Sequence, residues 1–195
     1  MKTILSIDFD IFMGKDLALY NDLLRLSTFD ELVKLHPMLN QVRFDLHSYI
    51  VFTNFLNTID KRKIHFITNH QEMIPILKKN NVDKLINIDA HHDVCYGGDY
   101  DENNPTCANW ARYVKDHNYV KTYEWIGTKE SAQPDRDFLC YIGSYKDIEN
   151  FDVSSLPVND IDQIIICLSP EWIPKNFLEY YERWQKQYGE ESKGM

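Results

Sequence analysis

Lys84-Leu85-Ile86-Asn87-Ile88-Asp89-Ala90-His91-His92-Asp93-Val94 is an apolar run that ends in Asp89, His91 and Asp93 at every second position. In an extended strand, alternate side chains share one face at a spacing of roughly 6.6 Å, so the three are expected on one side of the chain where the strand ends. A carboxylate, an imidazole and a carboxylate converging there make a grip for a cation. Leu85 to Ile88 is apolar enough for an inner strand of a parallel sheet, and such sheets gather ligands at the carboxyl ends of their strands. A short motif of this kind also describes an acidic turn with solvated histidines, so its reading depends on the rest of the chain.

Working outward, residues 3–9 are β-branched and apolar and predict a strand that delivers Asp8 and Asp10 at its end. Residues 63–68 predict a second strand, ending at Asn69-His70 before a helix over about 72–80. Between these two strands, apolar spacing predicts two short helices within 16–35, with Thr28 and Glu31 in capping-box register, and one helix over 44–59. Past the central stretch lies a long polar segment, 95–106, and a loop of that length inside a domain is usually functional. A helix over 107–117 and strands over 119–126, 136–142 and 161–168 follow. The last of these strands leads into Ser169-Pro170-Glu171-Trp172-Ile173-Pro174, and then come a closing helix over 176–188 and a polar tail, 189–195. Strands alternating with helices at this rhythm predict a single α/β domain over 1–188, a three-layer arrangement with a mainly parallel β-sheet flanked by helices.

Composition narrows the function. The 195 residues are 44% hydrophobic and 13% aromatic, which suits one domain with a real core. Lys plus Arg number 21 against 30 Asp plus Glu, a net charge of −9 with no basic block, so nucleic acid is not an expected partner. Asp8 and Asp10 interrupt the apolar amino terminus too early for a signal peptide or a membrane span. Cys95, Cys107, Cys140 and Cys167 lack CxxC spacing and read as reduced thiols of a cytoplasmic protein, with no metal role.

Three strand ends thus carry Asp8 and Asp10, His70, and Asp89, His91 and Asp93: four carboxylates and two imidazoles. Four negative charges that close repel strongly, and two divalent cations balance them. The expectation is a dinuclear site, and its oxygen-rich donors with some imidazole suit Mn2+ better than Zn2+. Two cations sharing one water would lower its pKa toward neutrality and make a nucleophile available at physiological pH.

Ser6-Ile7-Asp8-Phe9-Asp10, Thr68-Asn69-His70 and Asp89-Ala90-His91-His92-Asp93 together resemble the signatures of the arginase and ureohydrolase superfamily: S-x-D-x-D, a histidine after a strand, and D-A-H-x-D. The histidine follows Ile-Thr-Asn where the superfamily has Gly-Gly-Asp, and the S-x-D-x-D strand comes first instead of late. In that reordering and in its short length the chain is similar to the small peptide arginases, which convert arginine side chains of peptides to ornithine. The resemblance implies two Mn2+ per chain, with Asp8 and Asp89 bridging, His70 and Asp93 completing one metal, and His91 and Asp10 the other. It also implies an arginine-containing precursor peptide as substrate, and Asp93 resembles the carboxylate that shuttles the proton.

A guanidinium substrate needs a carboxylate facing it, and Glu171, between two prolines and beside Trp172, is the candidate. An exposed loop glutamate is the alternative. His92 is a candidate proton relay or a polar support. Asn109 and Trp110 are weaker substrate-contact candidates that read better as a helix N-terminus with a core tryptophan, Trp125 and Gly127 at a strand end have the same standing, and His36, His47, His65 and His117 read as structural or surface residues. Three other readings stay open. One is a haloacid-dehalogenase-like Mg2+ phosphatase using Asp8 and Asp10, which leaves His70 and D-A-H-x-D unexplained. The second is a deacetylase of arginase-like fold with one Zn2+, and the third is a metal-binding protein without catalysis.

Overall fold

The computed structural model describes residues 1–13, 43–94, 101–128 and 141–189. Among these residues six strands form one sheet: β1 (Thr3–Asp8), β2 (Ile64–Ile67), β3 (Val82–Ile88), β4 (Val120–Gly127), β5 (Ser144–Asp147) and β6 (Ile161–Cys167). Their order is β2-β6-β1-β3-β4-β5, and all five pairings are parallel. The described helices are α1 (Leu46–Leu56), α2 (Met73–Asn80), α3 (Trp110–Asp116) and α4 (Leu178–Tyr188). The three-layer α/β expectation is therefore met. The two helices expected within 16–35, with Thr28 and Glu31, lie outside the described residues, as do His36, Cys95, Cys140 and the end of the polar tail. No helix among the described residues is long and apolar enough to cross a membrane.

Strand alternation divides the core. Leu5, Ile7, Ile86, Ile88, Ile164 and Ile166 point to one face, where they meet α1, α4 and the aromatic cluster of Phe9, Phe12 and Trp184. Ile4, Leu85, Ile165 and Cys167 point to the other face and meet Met73 and Leu77 of α2 and Trp110 and Val114 of α3. Inner strands apolar on both faces are what a sheet covered on both sides requires. Helix boundaries follow local chemistry. Asp45 caps α1 by accepting from Ser48 N at 3.0 Å. Asn81, at φ 47°, ends α2 in the left-handed conformation and turns the chain into β3.

Of the strand expected over 136–142, residues 136–140 lie outside the described residues, and Tyr141 and Ile142 are not in a strand; the fifth described strand is Ser144–Asp147, on the sheet edge. Its alternate residues are exposed, so it has no apolar run to read. It is held instead by Tyr145 stacked on Trp125, with centroids 4.9 Å apart, and by Lys146 at 2.7 Å from Glu124, which also pairs with Lys84. Edge strands with charged side chains carry little hydrophobic signal.

The topology places a crevice between β1 and β3. The chain leaving β1 travels past β6 to β2, whereas the chain leaving β3 goes the other way, to β4. Adjacent strands whose exits diverge leave a gap at their carboxyl ends, the place where open α/β sheets bind ligands.

Candidate metal centre

Register brings the acids together. Asp8 lies opposite Cys167 of β6, and Ile7 lies opposite Ile88, so Asp8 and Asp89 stand side by side one step further on. Both share the face of Ile4 and Leu85. Neighbouring strands lie about 4.8 Å apart, so two buried carboxylates are held at ligand-sharing distance before any loop contributes. After β1 a tight 3-10 turn, Phe9–Met13, buries Phe9 and Phe12 in the aromatic cluster and turns Asp10 toward Asp8 and Ala90. Residues three apart eclipse in such a turn, so the two phenylalanines fix the direction of the acid between them.

The D-A-H-x-D stretch reaches the site differently from the expectation. β3 ends at Ile88, and Asp89 to Val94 form a curled loop, with Asp93 at φ 53°. His91 N donates to Asp89 Oδ1 at 2.8 Å, and Val94 N donates to His92 Nδ1 at 3.1 Å. Strand alternation would leave the three ligands roughly 6.6 Å apart along a line, too far for one cation, and the curl closes that distance. Asp is among the residues that tolerate the left-handed conformation. Asp93 is fixed there by its carbonyl, which accepts Ala111 N at 3.1 Å, and by its Oδ2, which accepts Trp110 Nε1 at 2.6 Å.

His70 opens a 3-10 turn after β2, secured by Glu72 Oε1 accepting the backbone N–H groups of Thr68 and Asn69. From there it reaches over β6, with Nδ1 3.2 Å from Asp93 Oδ2 and 3.4 Å from Asp8 Oδ2, and Nε2 3.7 Å from Asp89 Oδ2. On the other side, His91 Nδ1 is 2.9 Å from Asp10 Oδ2 and 3.8 Å from Asp89 Oδ1. All six residues are buried, the most exposed being His91 at 7%.

Five of the six form two groups whose ligand atoms lie within 4.8 Å of one another: Asp10, Asp89 and His91, and His70, Asp89 and Asp93. Asp89 belongs to both. In the second group His70 Nε2 is buried with no hydrogen-bond partner, and in the first Asp10 Oδ2 is buried against His91 Nδ1 at 2.9 Å without hydrogen-bond geometry. Buried polar atoms are almost always satisfied, so a ligand atom left in this state in each group fits a cation position in each. Asp8 stands on the His70 side, with its Oδ2 held by Ser169 Oγ at 2.6 Å. These oxygen and imidazole donors fit a pair of divalent cations.

Burial and the neighbouring Asp10 charge push the Asp8 carboxyl up to about 7. Asp89 is raised well above the usual carboxylate range by burial and by the charges of Asp93, Asp8 and Asp10. Burial opposes protonation of His70 and His91. Cys167, Asp8 and Asp93 around the first, and Asp10, Asp93 and Asp8 around the second, outweigh it and raise both. Burial also acts on Asp93, but its contacts with His70, His91 and Trp110 outweigh it and lower its pKa. A buried cluster that keeps protons on its carboxylates and imidazoles is one in which cations can replace them.

His92 sits beside the cluster, with Nδ1 taken by Val94 and its ring edge-on to Trp125 at 5.8 Å. The Glu171 backbone lies in the 3-10 turn Pro170–Trp172, directly after Ser169, while its side chain lies outside the described part of the structure. Trp172 packs over His91 with centroids 4.8 Å apart. Of the histidines read as structural or surface, His47 and His117 are exposed and His65 is half-buried.

Trp110, Trp125 and Gly127, read from the sequence only as weak substrate-contact candidates, prove to be supports of the ligands, as does Asn87. Trp110 donates to Asp93 and stacks on His70 at 4.9 Å, Trp125 Nε1 donates to the Asp89 carbonyl at 3.0 Å, and Asn87 Nδ2 donates to Asp89 Oδ2 at 3.0 Å. A Cβ on Gly127 would fall inside the Trp125 indole and 2.5 Å from the Asp89 carbonyl oxygen, so only glycine leaves room for that bond. Asn87 was the readable signal, a polar residue within an apolar strand and two positions before Asp89. Comparison with family models, with curated proteins and with solved structures returns no match to this chain.

Proposed function

We propose that the chain is a metal-dependent hydrolase with a pair of divalent cations, Mn2+ by donor chemistry, held by Asp8, Asp10, His70, Asp89, His91 and Asp93. The observation that carries this reading is the pair of buried ligand groups sharing Asp89, with His70 Nε2 left without a hydrogen-bond partner. Within that class, the motif resemblance to the peptide arginases makes arginine side chains of a precursor peptide the proposed substrate, with ornithine and urea as products.

The cation pair, when bound, supplies Lewis acidity and an activated water. The protein's own residues do the rest. Asp93, aimed by Trp110 and His70, is placed to take and return a proton. Trp172 over His91 offers an aromatic wall for a planar cation. Glu171, in the same turn as Trp172, is the proposed partner of the guanidinium fork.

The test is mass spectrometry of an arginine-containing peptide incubated with the Mn2+-loaded protein. The expected product is lighter by urea minus water per modified arginine. Urea from free arginine with an unmodified peptide would overturn the peptide assignment, and absence of both products would overturn the hydrolase reading. If Glu171→Gln leaves the peptide reaction intact, the guanidinium is read by another acid.

A further inference from the structure

Cys167 has no place in the cation pair, yet β6 delivers it to the same level of the sheet as Asp8. One ligand atom each from Asp8, His70 and Cys167 lies within 4.8 Å of the others, and the three residues are 2%, 2% and 0% exposed. We propose that Asp8, His70 and Cys167 form a further cation position, overlapping the paired centre and selective for a thiophilic divalent ion of the Zn2+ class.

Three observations carry it. Asp8 Oδ2 and His70 Nδ1 already stand 3.4 Å apart, close to the roughly 3.5 Å that tetrahedral bonds of about 2.0–2.3 Å impose between two ligands. The His70 ring and the Cys167 thiol hydrogen-bond each other, so the third ligand is already directed at the other two. Cys167 Sγ also meets Ser169 Oγ at 3.4 Å and the Thr68 carbonyl at 3.7 Å, and both partners belong to the turns that hold Asp8 and His70.

Ligand softness gives the position its selectivity. Thiolate favours Zn2+ and similar ions, whereas Mn2+ favours oxygen and imidazole. Binding replaces the thiol proton, which leaves to solvent, and three protein ligands leave one tetrahedral position open. Asp8 and His70 also serve the paired centre, so a thiophilic ion here and Mn2+ on the His70 side exclude each other. The proposal shares those residues with the functional reading but does not require hydrolytic activity.

Zinc-edge X-ray absorption on the full chain loaded with Zn2+ alone is expected to show one sulfur neighbour at about 2.3 Å. The Co2+-loaded chain is expected to show a near-ultraviolet thiolate-to-cobalt charge-transfer band that disappears in Cys167→Ser and persists in Cys107→Ser. A zinc shell of nitrogen and oxygen only, or a band that survives Cys167→Ser, overturns the site. The absorption measurement uses the unsubstituted protein, so a folding defect in the variant cannot mask the answer. A chain that binds Mn2+ in pairs but shows no sulfur neighbour loses this site and keeps the paired centre. A sulfur neighbour with no second Mn2+ supports this site and overturns the paired centre.

Discussion

Trp110 Nε1 donates to Asp93 Oδ2 across 2.6 Å, and the same indole stacks on His70 at 4.9 Å, so one fully buried side chain orients two ligands from different strands. Groups that orient metal ligands are worth about 10- to 100-fold in affinity. Trp110→Phe keeps most of the ring and removes the donor. Manganese titration of this variant is expected to show binding weakened by about that factor in a folded protein, whereas unchanged affinity would mean that the Ala111 contact alone positions Asp93.

Asp89 belongs to both ligand groups and Asp10 to one, so their substitutions should differ in kind. Elemental analysis after manganese loading is expected to give two ions per wild-type chain, fewer than one for Asp89→Asn and about one for Asp10→Asn, since removing a shared anion uncompensates both sites. Activity should follow, with Asp89→Asn inactive, Asp8→Asn inactive by the bridging role that the motif resemblance implies, and Asp10→Asn and His70→Asn partly active. Equal residual activity in all four contradicts the bridging roles.

The metal-free protein should lose stability as pH rises from about 4 to 8. Asp8 has a folded pKa of about 7 against 3.8 for the unfolded chain, so deprotonation above that window favours unfolding by an amount on the order of 4 kcal/mol. Asp89, also raised, acts in the same direction. His70 and His91 are raised too, and their stabilisation is present below about 6.5 and lost as pH climbs through their folded values. Asp93 is lowered, so its contribution is already complete above about 4 and does not reverse the trend. Thermal melts across this range, with chelator and with Mn2+, check the sign: the melting temperature should fall with pH in chelator and recover with the metal.

Gly127→Ala should cost about 1–3 kcal/mol, the usual penalty for forcing a methyl into a packed site. The indole of Trp125 must move, and with it the hydrogen bond to the Asp89 carbonyl. Denaturant melts measure the first effect and manganese titration the second. A loss of stability with metal affinity intact would separate the packing role of Gly127 from the placing of Asp89.

Five of the six strands and four helices could be read from the chain because each buries a periodic apolar face, and burial is a property of local sequence once the sheet is covered on both sides. β5 could not, since its four residues are a polar edge held by Trp125 and Glu124, about twenty positions earlier. The donor residues were equally readable: Asp8, Asp10, His70, Asp89, His91 and Asp93 all follow strands, and all meet at one end of the sheet.

What the chain alone determined was which chemical groups arrive at the carboxyl ends of which strands, because period-two alternation and strand limits are local. The tertiary structure decided how they meet. The order β2-β6-β1-β3 sets His70, Cys167, Asp8 and Asp89 in adjacent positions, and the left-handed turn at Asp93 replaces the straight strand first expected. Trp110, Ser169 and Asn87 then fix the orientation of the acids through hydrogen bonds, two of them spanning 17 and 161 residues. Register and strand order depend on contacts between distant segments, so no local pattern encodes them.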